Sequence, residues 1–225
     1  MTDDQSALAR FGGTARLLPL PNLVLFPQVI QGLHIFEPRY RQMTGDALAD
    51  DQLIAMVLLK KGWESDYDNR PAIESVGCLG RITHHDMLPD GRYNLRLRGL
   101  VRIRFTEELS TDKLYRVARA DMIPDVVPAD LGKLTDLRRH LARVVLPRFE
   151  AEAATLQHLR NLFDGETPLG PLCDMLAYAL PIDLELKQQL LEEPHVHTRA
   201  EILVHALRIN QPTVDRKFPP DFSEN

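Results

Sequence analysis

Tryptophan occurs once in this 225-residue chain and cysteine twice. Cys78 and Cys173 lie in separate halves without C-x-x-C spacing, which excludes a cysteine-rich zinc module and a disulfide-dense scaffold. One disulfide between them stays open at this level; two apolar thiols in a reduced chain are the expected state. There is no basic excess either. Lys and Arg number 27 against 32 Asp and Glu, net −5, which argues against nucleic acid as the main partner. No apolar run approaches the ~18 residues of a membrane span. Residues 1–13, with Asp3 and Asp4, lack the basic and apolar regions of a signal peptide. A cytoplasmic location away from membranes is expected.

Catalytic signatures are missing too. Ser6, Ser65, Ser75, Ser110 and Ser223 sit in no G-x-S-x-G elbow, and Cys78 lies in an apolar strand pattern. No G-x-x-x-x-G-K-[ST] phosphate loop occurs; the nearest fragment, Gly132-Lys133-Leu134, falls inside a helical stripe. Neither catalysis nor a cofactor is expected.

What the chain does have is a distinctive opening. Residues 17–41 read LLPLPNLVLFPQVIQGLHIFEPRYR, two apolar runs punctuated by proline ahead of a charged helix start. Leu17–Leu20, Leu23–Phe26 and Leu33–Phe36 are strand candidates, and Pro38 suits the first position of a helix. Gln52–Leu59, nearly all apolar, reads as a strand buried on both faces. Ile73–His84 follows as another strand, and Asp90-Gly91 supplies a hairpin turn.

From Arg92 to Gly99 polar and apolar residues alternate with period 2. The pattern then resumes in opposite phase with Val101, Ile103 and Phe105 against Arg102 and Arg104. A glycine at a phase change predicts a bulge or sharp bend, the device that curls a sheet. Leu114–Ile123 completes the strands.

After the Pro- and Asp-rich junction 123–130 the texture becomes helical. Leu131, Leu134, Leu137, Leu141, Val144 and Val145 form a stripe that Pro147 kinks or ends. Thr167-Pro168 predicts a helix through Leu180, and Asp183 one over Leu184–Glu192. Thr198 and Glu201 have capping-box spacing, opening a last helix to about Ile209. The expected class is α+β: a curled, mostly antiparallel sheet or pseudo-barrel with one embedded helix, then a C-terminal helical bundle. The expected boundaries are a flexible N-terminus over 1–14, a β-rich part over 15–123, a helical part over 129–210 and a loose tail over 211–225.

The opening segment, together with Val76-Gly-Cys-Leu-Gly-Arg-Ile and Leu97-Arg-Gly-Leu-Val-Arg-Ile, resembles the N-terminal, substrate-binding domain of Lon proteases, a module also known in cereblon. The likeness spans roughly residues 15–210; Gln31-Gly32 departs from it where the family more often has proline. The resemblance implies a six-stranded pseudo-barrel followed by helices. It also implies a free-standing, non-catalytic form, without the ATPase and Ser-Lys protease modules of a full Lon protease.

Candidate binding residues are few. The loop Lys60–Pro71 holds Trp63 and Tyr67 among acidic residues, and aromatics on a loop are recurrent peptide anchors. The alternative is that Trp63 folds back over the sheet edge as a lid. Arg96, Arg98 and Arg102 on the alternating strand could receive acidic peptides, phosphate or RNA, or form a solvated outer face. Glu37, Arg39 and Tyr40 read as structural, with Glu37 at the positive end of the helix dipole. His84-His85-Asp86 and His195-x-His197 lack the spacing of a complete ligand set, so no metal is expected. The expected function is recognition of exposed or partly unfolded polypeptide, along a groove between the two halves together with the 60–71 loop. The alternative is an adaptor docking on a separate protease or other protein partner.

Overall fold

A computed structural model describes residues 3–67 and 69–209. The expected loose tail 211–225 lies outside the described residues. Two compact units divide at Ile123 and Pro124.

The first unit opens with helix α1, Asp3–Arg10, where the sequence predicts a flexible end. The correction has a physical cause. Ala7 is fully buried, Leu8 and Phe11 pack on the sheet, and Asp4 pairs with Arg81 at 2.6 Å and with Arg98 at 3.1 Å. Strand β1, Thr14–Leu20, and strand β2, Ile30–Ile35, are separated by a segment that is not the predicted strand. Val24, Leu25 and Phe26 are buried there without strand pairing. Helix α2, Pro38–Leu48, begins with proline at its first turn, where a missing N–H leaves no bond unmade. Strand β3, Leu53–Leu58, is buried at every position, as its unbroken apolar run predicts. Strands β4, Val76–Met87, β5, Tyr93–Leu109, and β6, Val117–Ile123, complete the sheet.

Strand order is β2-β5-β4-β3-β1-β6, and β6 also pairs with β5. All ladders are antiparallel except β1–β3. The sheet curls because β5 is long enough to serve three neighbours. Residues 93–98 pair with β2, 93–104 with β4 and 102–109 with β6. The bend is the predicted one. Leu79 pairs with Val101 and Gly80 with Gly99, which leaves Leu100 as the extra residue of a bulge. Gly99 also exchanges hydrogen bonds with the 26–29 corner, its N–H to the Val29 carbonyl and its carbonyl from the Gln28 N–H, both 2.8 Å. A Cβ there would stand 2.1 Å from the Phe26 carbonyl oxygen, so only glycine fits. At the other end of the strand, Gly91 adopts φ 82° in the β4–β5 turn, a conformation open to glycine at no steric cost.

Inside the curl, Ala15, Leu17, Leu53, Ala55, Leu79, Leu100, Ile103 and Ala118 form one apolar cluster, capped by α1. Each fully buried leucine or isoleucine there contributes roughly 1.5–3 kcal/mol relative to exposure. The opposite face of β1, β3 and β4 is buried as well, with Leu18, Met56 and Cys78 at 1% exposure or less. Both cysteines are free thiols.

The second unit is helical. Helix α3, Leu131–Val145, is capped by the Asp130 carboxylate, which accepts from the Lys133 N–H at 3.2 Å. Pro147 ends it as a 3₁₀ turn over Leu146–Phe149. Helix α4, Ala153–Asp164, was not anticipated, although Leu156, Leu159, Leu162 and Phe163 recur at helical spacing; Leu159 and Phe163 are its buried residues. Helices α5, Leu169–Ala179, and α6, Leu184–Glu192, follow, although neither is capped by a side chain as predicted. Helix α7, Val196–Ile209, packs on α3 and α5. It starts before the Thr198–Glu201 pair, so that pair lies within the helix and does not open it. The entry is set by a bridge between Val126 and His195, with the Val196 N–H donating to the Val126 carbonyl at 3.0 Å. No described helix is long and apolar enough to cross a membrane.

Candidate functional site

The motif at the start of α2 and the Trp63 loop, read separately in the sequence, meet in space. Glu37 stands at the N-cap position of α2, the positive end of its dipole, but makes no side-chain capping bond. Its carboxylate turns to the loop: Oε1 accepts from the Tyr67 hydroxyl at 2.8 Å and Oε2 from Arg39 Nε at 2.9 Å. The Arg39 guanidinium lies 4.9 Å from the Tyr67 ring centroid and 4.8 Å from that of Tyr40. It also donates to the Tyr67 carbonyl at 3.4 Å. Tyr40, buried, donates to the Pro19 carbonyl at 3.3 Å and so ties α2 to β1.

Trp63 opens a 3₁₀ turn, Trp63–Asp66, and is half-buried. Its ring meets Tyr67 edge-on, centroids 5.4 Å apart at 65°. This partial burial lies between the two sequence expectations. The indole is held by one aromatic neighbour, which is itself anchored, and part of its surface stays open to solvent.

The β5–β6 connection closes the other side. Tyr115 donates to Asp46 Oδ2 at 2.8 Å, Lys113 pairs with the same oxygen at 3.0 Å, and the Leu114 N–H donates to Gln42 Oε1 at 2.8 Å. Arg116 pairs with Glu108 through Nε at 2.9 Å and sends Nη1 to the Pro71 carbonyl at 2.7 Å. Between α2, the loop and this connection lies a pocket of ≈ 50 Å³. Arg39, Arg70 and Arg116 line it, as do Tyr40, Tyr67 and Tyr115, and among the described residues no carboxylate does. Nothing in the sequence tied Arg116 to this place, since its contact with Pro71 spans 45 residues.

The electrostatics follow the packing. Burial, then the hydrogen bond to Glu37, pushes the Tyr67 pKa up. Burial raises that of Tyr40 far above the ordinary phenol. Tyr115 is pushed up to about 12 by burial and by its bond to Asp46. Asp46 in turn is lowered by the bonds from Tyr115 and Lys113. Burial opposes the Arg39 charge, but Tyr40, Glu37 and Tyr67 more than offset it, and its pKa is raised.

The three arginines of β5 separate. Arg96 is exposed, beside His84 and Gly32 in the ladders. Arg98 is half-buried, paired with Asp4 and donating to Gln28 Oε1 at 2.8 Å. Arg102 is 2% exposed and offers no surface to a peptide, which corrects its expected role. Its alternation is as read, but its face of the sheet is covered, as its fully buried ladder neighbour Cys78 shows. Trp63 and Tyr67 contact each other, and Tyr67 contacts Glu37 and Arg39; among the described residues no hydrogen bond or ring contact joins either to the three arginines of β5. His84 pairs with Asp86 at 3.3 Å on the exposed end of β4, and His195 with Glu193 at 2.7 Å.

Comparison with known proteins gives a consistent result. The family model for the ATP-dependent protease La (LON) substrate-binding domain matches residues 14–208. The chain is 30% identical over 189 residues to a Lon protease of Azospirillum brasilense, covering 81% of this chain and 22% of that protein. It is 26% identical over 191 residues to Lon protease 2 of Myxococcus xanthus, covering 85% and 23%. It therefore spans less than a quarter of the length of these relatives. The Lon N-terminal domain protein of Xanthomonas campestris superposes with a TM-score of 0.60 at 26% identity, covering 85% of this chain and 97% of that one. The N-terminal domain of the Mycobacterium avium complex Lon protease does so with 0.68 at 16% identity, covering 87% and 98%.

Proposed function

The chain belongs to the Lon substrate-binding domain family, and from that premise we propose that it is a polypeptide-binding module with no catalytic step of its own. The family match over residues 14–208 carries this reading, since it covers both units. Its clients are exposed or partly unfolded segments of other proteins. The Trp63–Tyr67 edge contact beside the arginine-lined pocket supports the loop as the point of contact. It offers an apolar ring on a backbone fixed by Glu37 and Arg39, which limits the entropy lost on binding.

Trp63 is the only tryptophan, so its emission reports this loop alone. Titration with a reduced, carboxymethylated model protein should shift that emission saturably, and the native form of the same protein should not. Trp63→Ala, followed by anisotropy of the labelled client, should weaken binding about tenfold, as truncating an aromatic anchor does. Equal affinity of the variant, or no association with the unfolded client, sinks the reading.

The adaptor alternative is favoured by one observation: in its relatives the matched region is under a quarter of a longer protein. Pull-down from native cytosol separates the two. Many weak clients indicate substrate binding, and one stoichiometric partner indicates docking.

A further inference from the structure

The pocket beside Trp63 has a one-sided chemistry. Among the described residues its wall carries three guanidinium groups and no acid. Glu37 and Glu108 each hold one arginine from outside the lining, so the third positive charge is not matched by these two. Hydroxyls are directed away from it as donors, with Tyr67 bonded to Glu37, Tyr115 to Asp46 and Tyr40 to the Pro19 carbonyl. Guanidinium has five N–H donors. Arg116 commits three to Glu108 and Pro71, which leaves two for an acceptor. An incoming oxygen anion therefore meets donors, whereas an incoming N–H meets few acceptors.

Size and apolar surroundings narrow the choice. A volume of ≈ 50 Å³ accommodates a few water-sized groups, enough for a carboxylate and too little for a nucleotide. Leu59 and Pro71 are buried in the wall, and Leu114 stands 63% exposed at the rim. An exposed leucine beside arginines suits an anion that carries an apolar neighbour.

We propose that this pocket captures a carboxylate of the bound polypeptide, through Arg70 and Arg116, with the adjoining apolar side chain resting on Leu114. The inference deepens the polypeptide-binding reading and rests on it. Two sources share the chemistry: the terminal carboxylate of a chain, and an Asp or Glu side chain within one.

The test uses the full chain and three fluorescein-labelled peptides of one apolar sequence. One ends in a free acid, one in an amide, and the third is an amide with a single internal Glu. Anisotropy should show at least one acid-bearing peptide bound tenfold or more tighter than the acid-free amide. Preference for the free acid identifies the terminus, and preference for internal Glu identifies the side chain. Arg70→Ala and Leu114→Asp, both at exposed positions, should reduce the preference to within twofold while circular dichroism and melting temperature stay unchanged. Equal binding of all three peptides, or a preference untouched by both variants, overturns the pocket and leaves the broader reading standing. If neither the peptides nor the unfolded model protein bind, both fall together.

Discussion

Arg199 and Asp125 form a two-pronged ion pair, Nη1 to Oδ1 at 2.8 Å and Nη2 to Oδ2 at 2.7 Å, with the arginine side chain 1% exposed. Nη1 also donates to the Glu193 carbonyl at 2.9 Å, and Nε lies 3.5 Å from the buried Asp174. Gly170 makes the space, because a Cβ there would come 2.5 Å from Asp125 Oδ2. One guanidinium thus fixes the junction segment, α5 and the entry to α7. Burial opposes its charge, yet the two carboxylates hold its pKa above the ordinary value.

Removing the guanidinium takes its counter-charge from Asp174, which is 2% exposed. Arg199→Met should destabilise the helical unit by about 3–5 kcal/mol in urea unfolding. Arg199→Lys should not restore it, since an ammonium cannot reproduce the planar two-pronged geometry. A loss below about 1 kcal/mol for both would contradict this account.

Gly99→Ala tests the bend. The added methyl collides with the Phe26 carbonyl, so the 26–29 corner must leave β5 or the strand must straighten. A cost of about 3 kcal/mol or more is expected, the upper end for overpacking because backbone must shift. Hydrogen exchange at the Gln28 and Gly99 amides should speed up before the rest of the sheet.

The bend and the strands around it were legible, and so was Pro38 at the helix start. What sequence could not give is the covering of a face. Period 2 says which side Arg102 occupies, but an outer strand face is exposed only if nothing packs on it. Here the segment around Phe26 does so near Gly99, while Arg96 and Arg104 remain exposed. The Glu37–Tyr67 bond was hidden for a related reason, since 30 residues separate its partners and neither position is unusual alone. Helix α1 was missed because eight residues form no stable helix by themselves and this one depends on the sheet.

That dependence is measurable. Asp4→Asn removes the charge facing Arg81 and Arg98, part-buried pairs at 2.6 and 3.1 Å. Protection of the α1 amides should fall severalfold in hydrogen exchange, with a global loss of about 1 kcal/mol, as for one charge-assisted hydrogen bond. Unchanged protection would mean that Ala7, Leu8 and Phe11 hold the helix without the ion pairs.

The Tyr115–Asp46 bond predicts a stability profile with two limbs. Asp46 has a folded pKa below its ordinary 3.8, so its contribution is complete above that value and lost as pH falls toward the depressed one. Tyr115 is raised from 10 to about 12, so its contribution is complete below 10 and lost as pH rises through 12. Asp46→Asn should flatten the acid limb, and Tyr115→Phe the alkaline limb, each lowering neutral stability by about 1 kcal/mol. Urea midpoints from pH 2 to 11 provide the check.

The pairing of β1 with β6 joins Thr14 to Arg119 and Arg16 to Val117, the start of the sheet to its end. During synthesis a ribosome therefore releases β1 with only its parallel partner β3 to follow soon. Its outer edge waits for roughly a hundred residues to emerge. Over that interval the β1 edge has no β6 to pair with, and closing the curl waits for residues 117–119.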